Sequence, residues 1–395
     1  MLQGLRVIDA ASFVAGPAAA TVLGDFGANV IKVEPPNGDS YRSLAAHYHV
    51  NYYWMLTSRN KRSIALDIGQ KEGREAMLSL IDTADVLIVN FNADQLHKYG
   101  LNFEDLKKRN PRLIFAHITG YGTRGPDAKR RAFDAAAWWA RSGIMDMMKP
   151  FGGSPTNGVG GVGDHASAMS LFGVIMMGLY RREKTGEGTY VSTSLAANGI
   201  WSNGMPIQGA IAGFDIAAML DEKGFRNPFI ISYKTREGRF IVLVGPNPQR
   251  EWPRICRAFG REDWLTDSRF SDMKKIVVLR DEVREMIADE FAKRKLNDLV
   301  LVLSEADVTY SVVEKLADVI EDAQLIENDI LVRTNSDNPD YQWTVSSPIE
   351  VGGIVKSPIV DAPEIGEHSR EILEEAGFSA EDIDKLLALG ILEQK

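Results

Sequence analysis

The chain has 395 residues, 45% hydrophobic and 25% charged, which excludes collagen-like repeats, coiled-coil rods and long disordered tracts. At roughly 100–200 residues per domain, that length predicts two or three globular domains. With 54 acidic residues against 45 Lys and Arg, the net charge is −9, so the basic footprint of a nucleic-acid binder is absent and no such partner is expected. Cys256 is the single cysteine and cannot pair within its own chain, which points to a reducing, cytoplasmic setting. The opening MLQGLRVIDAASFVAG lacks the basic and apolar regions of a signal peptide. The longest apolar stretch, Ala166–Tyr180, falls short of the roughly 20 residues of a bilayer span and reads as a buried helix, so no membrane is expected as a partner.

In chain order, Leu5–Ile8 reads as a strand, Pro17–Gly27 as a small-residue helix and Asn29–Val33 as a second strand, together a β-α-β unit. A helix near Lys71–Ala84 follows, with Ala76, Met77, Leu80 and Ile81 at helical spacing, and then strands at Val86–Val89 and Leu113–His117. Short apolar strands alternating with helices predict a Rossmann-like α/β domain with a parallel sheet. From Gly163 a long helix runs to about Arg182 and stops at KTGEG, with a strand at Thr189–Ser194. Past the polar Asp221–Asn227 stretch the texture changes: strands at Arg239–Val244 and Val308–Val313, and amphipathic helices at Glu251–Phe259 and Arg280–Arg294, predict a smaller α+β domain. The tail from Pro348 reads as two short β-like pieces followed by helices at Glu367–Gly377 and Ser379–Leu389. The expected domains are therefore 1–220, 226–330 and a C-terminal segment, 331–395.

The standard signatures of a nucleophile elbow, a zincin, a redox dithiol and a P-loop are missing. The six histidines lack the carboxylate or thiolate company of a metal site, so no metal is expected. Cys256 shares a helical face with Trp252, Ile255 and Phe259 and reads as core. Gly158–Gly163 fits G-x-G-x-x-G by spacing but follows a loop rather than a strand, which argues against a dinucleotide site.

That glycine run delivers Asp164 to the start of the apolar helix, and two readings stay open. Asp is a favoured N-cap. Equally, the helix amides would hold the carboxylate ionised while Gly160, Gly161 and Gly163 let an electrophile approach it. Two basic clusters, Arg59, Lys61 and Arg62, and Arg124, Lys129, Arg130 and Arg131, read either as solvated loops or as partners for a multiply phosphorylated ligand.

LQGLRVIDAASFVAGP, LGDFGANVIKVEPPNGD, NKRSIALD, NPRLIFAHITGYGTRGP, GDHASAMSLFGVIMMGLYRREKTGEG and APEIGEHSREIL stand in the order found in the family III CoA-transferases. The chain resembles that family, which includes formyl-CoA transferase, carnitine CoA-transferase and the α-methylacyl-CoA racemases, over nearly its whole length. The resemblance implies that Asp164 is the catalytic nucleophile. It places coenzyme A against Phe13, Val14, Ala15, Asn90, Phe91 and Phe133, with its phosphates near Lys98 and Arg131. It also implies an interlocked, ring-like homodimer, with acyl-CoA and small carboxylic acids as partners and no permanently bound cofactor.

Two departures argue against oxalate or formate as substrate: Val14 and Pro35 stand where formyl-CoA transferase has Gln and Arg. The glycine loop that covers the active site in that enzyme has no counterpart near Gly224–Pro228. The racemase branch has His-Asp where this chain has Phe133-Asp134, so a base for two-sided proton transfer is missing and transfer ranks ahead of racemisation. A non-catalytic acyl-CoA-binding protein is the reading from another class. FDAAAWWARSGIM is similar to the aryl-lactate and 2-hydroxyacyl CoA-transferases, with Trp138 and Trp139 either walling an acyl pocket or packing the core. The mechanism implied is attack of Asp164 on a thioester to give an aspartyl-acyl anhydride and CoA thiolate.

Overall fold

The structure, a computed structural model, describes residues 1–150, 152–214, 220–221, 224–225 and 227–395. Contacts divide the chain into two units, Met1–Asp146 with Thr156–Gly204 and Ala323–Lys395, and Met147–Pro155 with Met205–Asp322. The larger unit thus ends at Gly204 and resumes at Ala323, against the expected 220 and 331.

In the larger unit β1 (Arg6–Asp9), β2 (Asn29–Glu34), β3 (Lys61–Leu66), β4 (Val86–Val89), β5 (Ile114–Thr119) and β6 (Thr189–Ser194) form a parallel sheet in the order 3-2-1-4-5-6. The period of two sends Ile8, Ile31, Ile64 and Leu87 to one face and Val7, Val30, Val86 and Ile88 to the other. The first face packs on α3 (Lys71–Asp82), α4 (Ala93–Tyr99), α5 (Phe103–Arg109) and the C-terminal helices Ser369–Glu375 and Ala380–Ala388. The second packs on α1 (Ala15–Asp25) and α7 (Val162–Thr185), with α2 (Tyr52–Ser58) beside α1 and the short α6 (Ile144–Met147) between Asp134 and α7 in sequence.

Three expectations need correction. Residues 61–66 are not a basic loop but the strand β3, buried between β2 and the C-terminal strand Leu392–Glu393. That last strand pairs antiparallel with β3, Leu392 opposite Leu66, a long-range contact that two residues of sequence do not signal. No strand forms just after Pro348; the nearest pair, Leu331–Arg333 and Trp343–Val345, precedes it. Finally, α7 is long and apolar enough by composition to span a membrane, yet it buries only one face, through Ser167, Ala168, Leu171, Ile175 and Leu179. Met177 and Tyr180 stay 70% and 66% exposed.

The smaller unit is α+β. The antiparallel strands Tyr310–Val312, Phe240–Leu243 and Ser232–Lys234 pack with the helices Pro248–Ala258, Arg280–Lys293 and Leu296–Glu305. Its core is aromatic, with Trp252 and Trp264 stacked at 5.5 Å. Cys256 lies fully inside it, where burial pushes the thiol up to about 12, as a core residue would be.

Candidate active site

β1 pairs with β2 on one side and β4 on the other, so the connections leaving β1 and β4 diverge and open a crevice at the carboxyl ends of the strands. A cavity of about 320 Å³ lies there, lined by Ser12–Ala15 after β1, Asn90–Asn92 and Gln95 after β4, Ile118–Gly120 at the end of β5, Ala128–Phe133, Asp164 and Leu195. It brings together Phe13, Val14, Ala15, Asn90, Phe91, Arg131, Phe133 and Asp164. Lys98 is elsewhere: it sits in the last turn of α4, its ammonium 5.2 Å from the Tyr99 ring, while Asn92 and Gln95 at the other end of that helix face the cavity.

The wall after β1 is tightly held. Phe13 has φ +67°, a left-handed conformation that costs an L-residue roughly 1–2 kcal/mol. Its ring meets Phe133 edge to face at 5.1 Å. The Asn90 amide group both donates to the Ser12 carbonyl at 3.0 Å and accepts from the Ser12 amide at 3.1 Å.

Behind this turn the apolar alternation of the strands gives way to charge. Lys32 and Asp39 form a buried pair at 3.2 Å, and Lys61 and Asp9 another at 2.9 Å. The Lys61 ammonium also donates to the carbonyls of Pro17 and Thr57, both at 2.7 Å. Burial pulls the Lys61 ammonium down to about 8 despite Asp9. Burial is also the largest influence on Lys32, but Asp9, Asp39 and Glu34 together outweigh it and hold that ammonium above its ordinary value. The cluster Arg59, Lys61 and Arg62 is therefore neither a solvated loop nor a phosphate clamp. Arg59 pairs with buried Asp25 at 2.9 Å, and Arg62 with Glu371 and Glu375 at 2.7 Å.

At the helix that carries Asp164 the electrostatics run against expectation. Gly161, with φ +84°, is the N-cap of α7 and Asp164 stands inside the first turn, so Asp164 is not the cap. The free amide of Gly161 goes to Asp134, at 2.6 Å. Among the described residues the Asp164 carboxylate has no hydrogen-bond donor or cation beside it. Burial, and after it the Asp134 charge, push it up to about 7 rather than holding it ionised. Burial likewise raises Asp134 above the usual carboxylate range, against the amides of Gly161 and Gly163.

The glycines also serve packing. A Cβ on Gly163 would stand 2.3 Å from both the Asp134 carboxylate and the Trp138 ring, and one on Gly158 2.2 Å from Trp139. Trp138 and Trp139, in a π-helical turn (Ala135–Ala140), are thus core side chains under the loop and not part of the cavity lining.

The second basic cluster does reach the cavity, through Lys129, Arg130 and Arg131. Lys129 pairs with Asp94 at 2.8 Å and Arg130 with Asp127 at 3.7 Å. Among the described residues Arg131 has no ion pair. Among those residues, too, no three His, Cys, Asp or Glu side chains converge as a metal would require. Sequence reasoning missed Asp134, visible only as the residue after Phe133, and the Lys32–Asp39 pair, whose signal was two charges interrupting NVIKVE and PPNGD. The Gly224–Pro228 segment lies partly outside the described residues.

Comparison with known proteins identifies the family. Residues 2–369 match the family described as CoA-transferase family III. The chain is 31% identical over 397 residues to a cinnamoyl-CoA:phenyllactate CoA-transferase of Clostridium sporogenes, covering 98% of this chain and 96% of the other. It is 29% identical over 390 residues to an (R)-2-hydroxy-4-methylpentanoate CoA-transferase of Clostridioides difficile, covering 97% of each. Among solved structures, a CAIB/BAIF family protein from Brucella suis superposes with a TM-score of 0.82 at 27% identity, covering 95% of this chain and 99% of that one.

Proposed function

We propose, from the premise that the chain belongs to CoA-transferase family III, that its CoA-transferase reaction runs through a covalent intermediate on Asp164. The observation that carries this reading is a carboxylate facing the cavity with, among the described residues, neither donor nor cation beside it; Arg131, without an ion pair among those residues, lines the same cavity. An unpaired, partly desolvated carboxylate is a better nucleophile than one neutralised by a salt bridge. Its oxygen attacks the thioester carbonyl, the C–S bond breaks, and CoA leaves as the thiolate with the electron pair. The acceptor's carboxylate then attacks the aspartyl carbonyl of this anhydride, expelling the first acid as its carboxylate; CoA thiolate attacks the new acyl carbonyl, expelling the Asp164 carboxylate and leaving the new thioester. No proton need move at the α-carbon, which suits a site with Phe133 where a base would be needed.

In this reading coenzyme A lies along Phe13–Ala15, Asn90 and Phe91, with its phosphates toward Arg131 and, outside the cavity lining at the far end of α4, Lys98. The acyl group is that of an aryl or 2-hydroxy acid, supported by the names of the two relatives and by the aromatic lining of Phe13, Phe91 and Phe133. The interlocked homodimer and the cytoplasmic setting belong to the same reading. The exposed apolar side chains of Met177, Tyr180 and Trp201 support the dimer, and light scattering of the purified protein tests it.

The decisive experiment is trapping. Incubation with an acyl-CoA and hydroxylamine should leave an aspartyl hydroxamate at Asp164 by mass spectrometry, and Asp164→Ala should lose about three orders of magnitude of exchange or more. Near-normal exchange by a folded variant would refute the assignment. The nucleophile must be ionised, so kcat/KM should rise about tenfold per pH unit up to its titration and level above it. With the Asp164 carboxyl at about 7, that bend falls near neutrality, and Asp134→Asn, which removes the neighbouring charge, should move it to lower pH.

A further inference from the structure

We propose that Lys32 and Asp39 are positioning residues that hold Phe13 in its left-handed conformation and thereby shape the cavity wall that receives acyl-CoA. The inference rests on the reading of that cavity as the CoA site. Between β1 and α1 the chain is neither strand nor helix, so its buried peptide groups need partners from elsewhere. Three consecutive units, Ala11 to Phe13, have one. The Ala11 amide donates to Asp9 at 3.3 Å, and the Ala11 carbonyl accepts from the Lys32 ammonium. Ser12 is held at both ends by Asn90. Asp39 Oδ1 accepts from the Phe13 amide at 3.5 Å and from the Tyr41 amide at 3.0 Å.

The two ions that complete this strap, Lys32 and Asp39, are each 1% exposed and 3.2 Å apart. A buried ion pair is a poor source of stability compared with apolar residues of the same volume. Its placement explains it better. An aromatic L-residue at φ +67° relaxes unless its surroundings over-determine it, and relaxation would carry its ring away from Phe133 and turn the start of α1. An ammonium with three donors and a carboxylate with several acceptor sites can fasten two separate peptide groups and each other at once.

Glycine adopts the left-handed region without strain, so it should make the strap dispensable. The test is a double-mutant cycle read as CoA affinity by calorimetry on the full chain, with circular dichroism to verify folding: wild type, Asp39→Asn, Phe13→Gly and the double variant. Asp39→Asn should weaken CoA about tenfold in the wild-type background but less than about threefold when residue 13 is glycine. If Asp39→Asn does not fold, Lys32→Met with Asp39→Asn, which removes both charges together, takes its place in the cycle. Equal losses in both backgrounds, or no loss in a folded variant, would overturn the proposal. A wild-type protein that fails to bind CoA would instead overturn the reading of the cavity, and the proposal with it.

Discussion

Two stretches rich in Arg and Lys, SRNKRS and TRGPDAKRR, end in opposite places. Arg59 and Lys61 are swallowed by the sheet as counter-ions of Asp25 and Asp9, whereas Lys129, Arg130 and Arg131 line the cavity at the carboxyl ends of the strands. The difference lies in what precedes each. The first stretch leads into β3, beside which β1 and α1 bring Asp9 and Asp25 into the interior. The second follows β5 out of the sheet, toward the crevice where the connections leaving the paired strands β1 and β4 diverge. A cluster of cations therefore says little about phosphate until the strand that carries it is placed.

The sharpest way to break this comparison is at Lys61. Lys61→Met leaves Asp9 without its cation, and the lost pair should cost about 3–5 kcal/mol of stability. Urea unfolding measures it. Replacing both partners, as Lys61→Met with Asp9→Leu, should recover part of that loss, because the penalty belongs to the unpaired charge. A Lys61→Met protein of undiminished stability but weakened CoA binding would return this cluster to the phosphates.

Much of the architecture was open to reading because it is local. Ala76, Met77, Leu80 and Ile81 bury one face of α3 as their spacing predicts, and Thr189–Ser194 is the strand its β-branched residues suggest. What stayed hidden depends on distant partners. The strand β3 begins with a lysine whose burial makes sense only beside Asp9, far upstream. The role of Asp134 at the start of α7 needs the Gly161 amide across a loop, and no spacing rule connects the two. Asp164 itself drew attention by spacing, which left cap and nucleophile open, and only the resemblance implied the nucleophile. Its position inside the first turn and its raised carboxyl required coordinates, because desolvation is a property of the surroundings.

At the cavity end of the comparison, Arg131→Ala should leave stability within about 0.5 kcal/mol of wild type, as for a surface change. It should weaken CoA binding by about 1.5–3 kcal/mol, the range for a hydrogen bond to a charged group. Calorimetry at two salt concentrations checks both the loss and its screening. Lys98→Ala, from the far end of α4, should lose less; equal losses would mean that the phosphates run along that helix.

The smallest effect is expected at Arg62, the member of the first cluster that reaches the surface. Its guanidinium pairs with Glu371 and Glu375 of the C-terminal helix, joining β3 to the tail, but both carboxylates are exposed, with side-chain exposures of 57% and 39%. Exposed pairs gain little because water competes and two long side chains must be ordered. Arg62→Ala should therefore cost only about 0.2–1 kcal/mol, with no change in CoA affinity, and most of that cost should vanish at about 1 M salt. Denaturant midpoints at low and high salt provide the measurement. A loss as large as that of Lys61→Met, persisting in salt, would show that burial does not separate the members of this cluster and that the contrast with the cavity cations needs another cause.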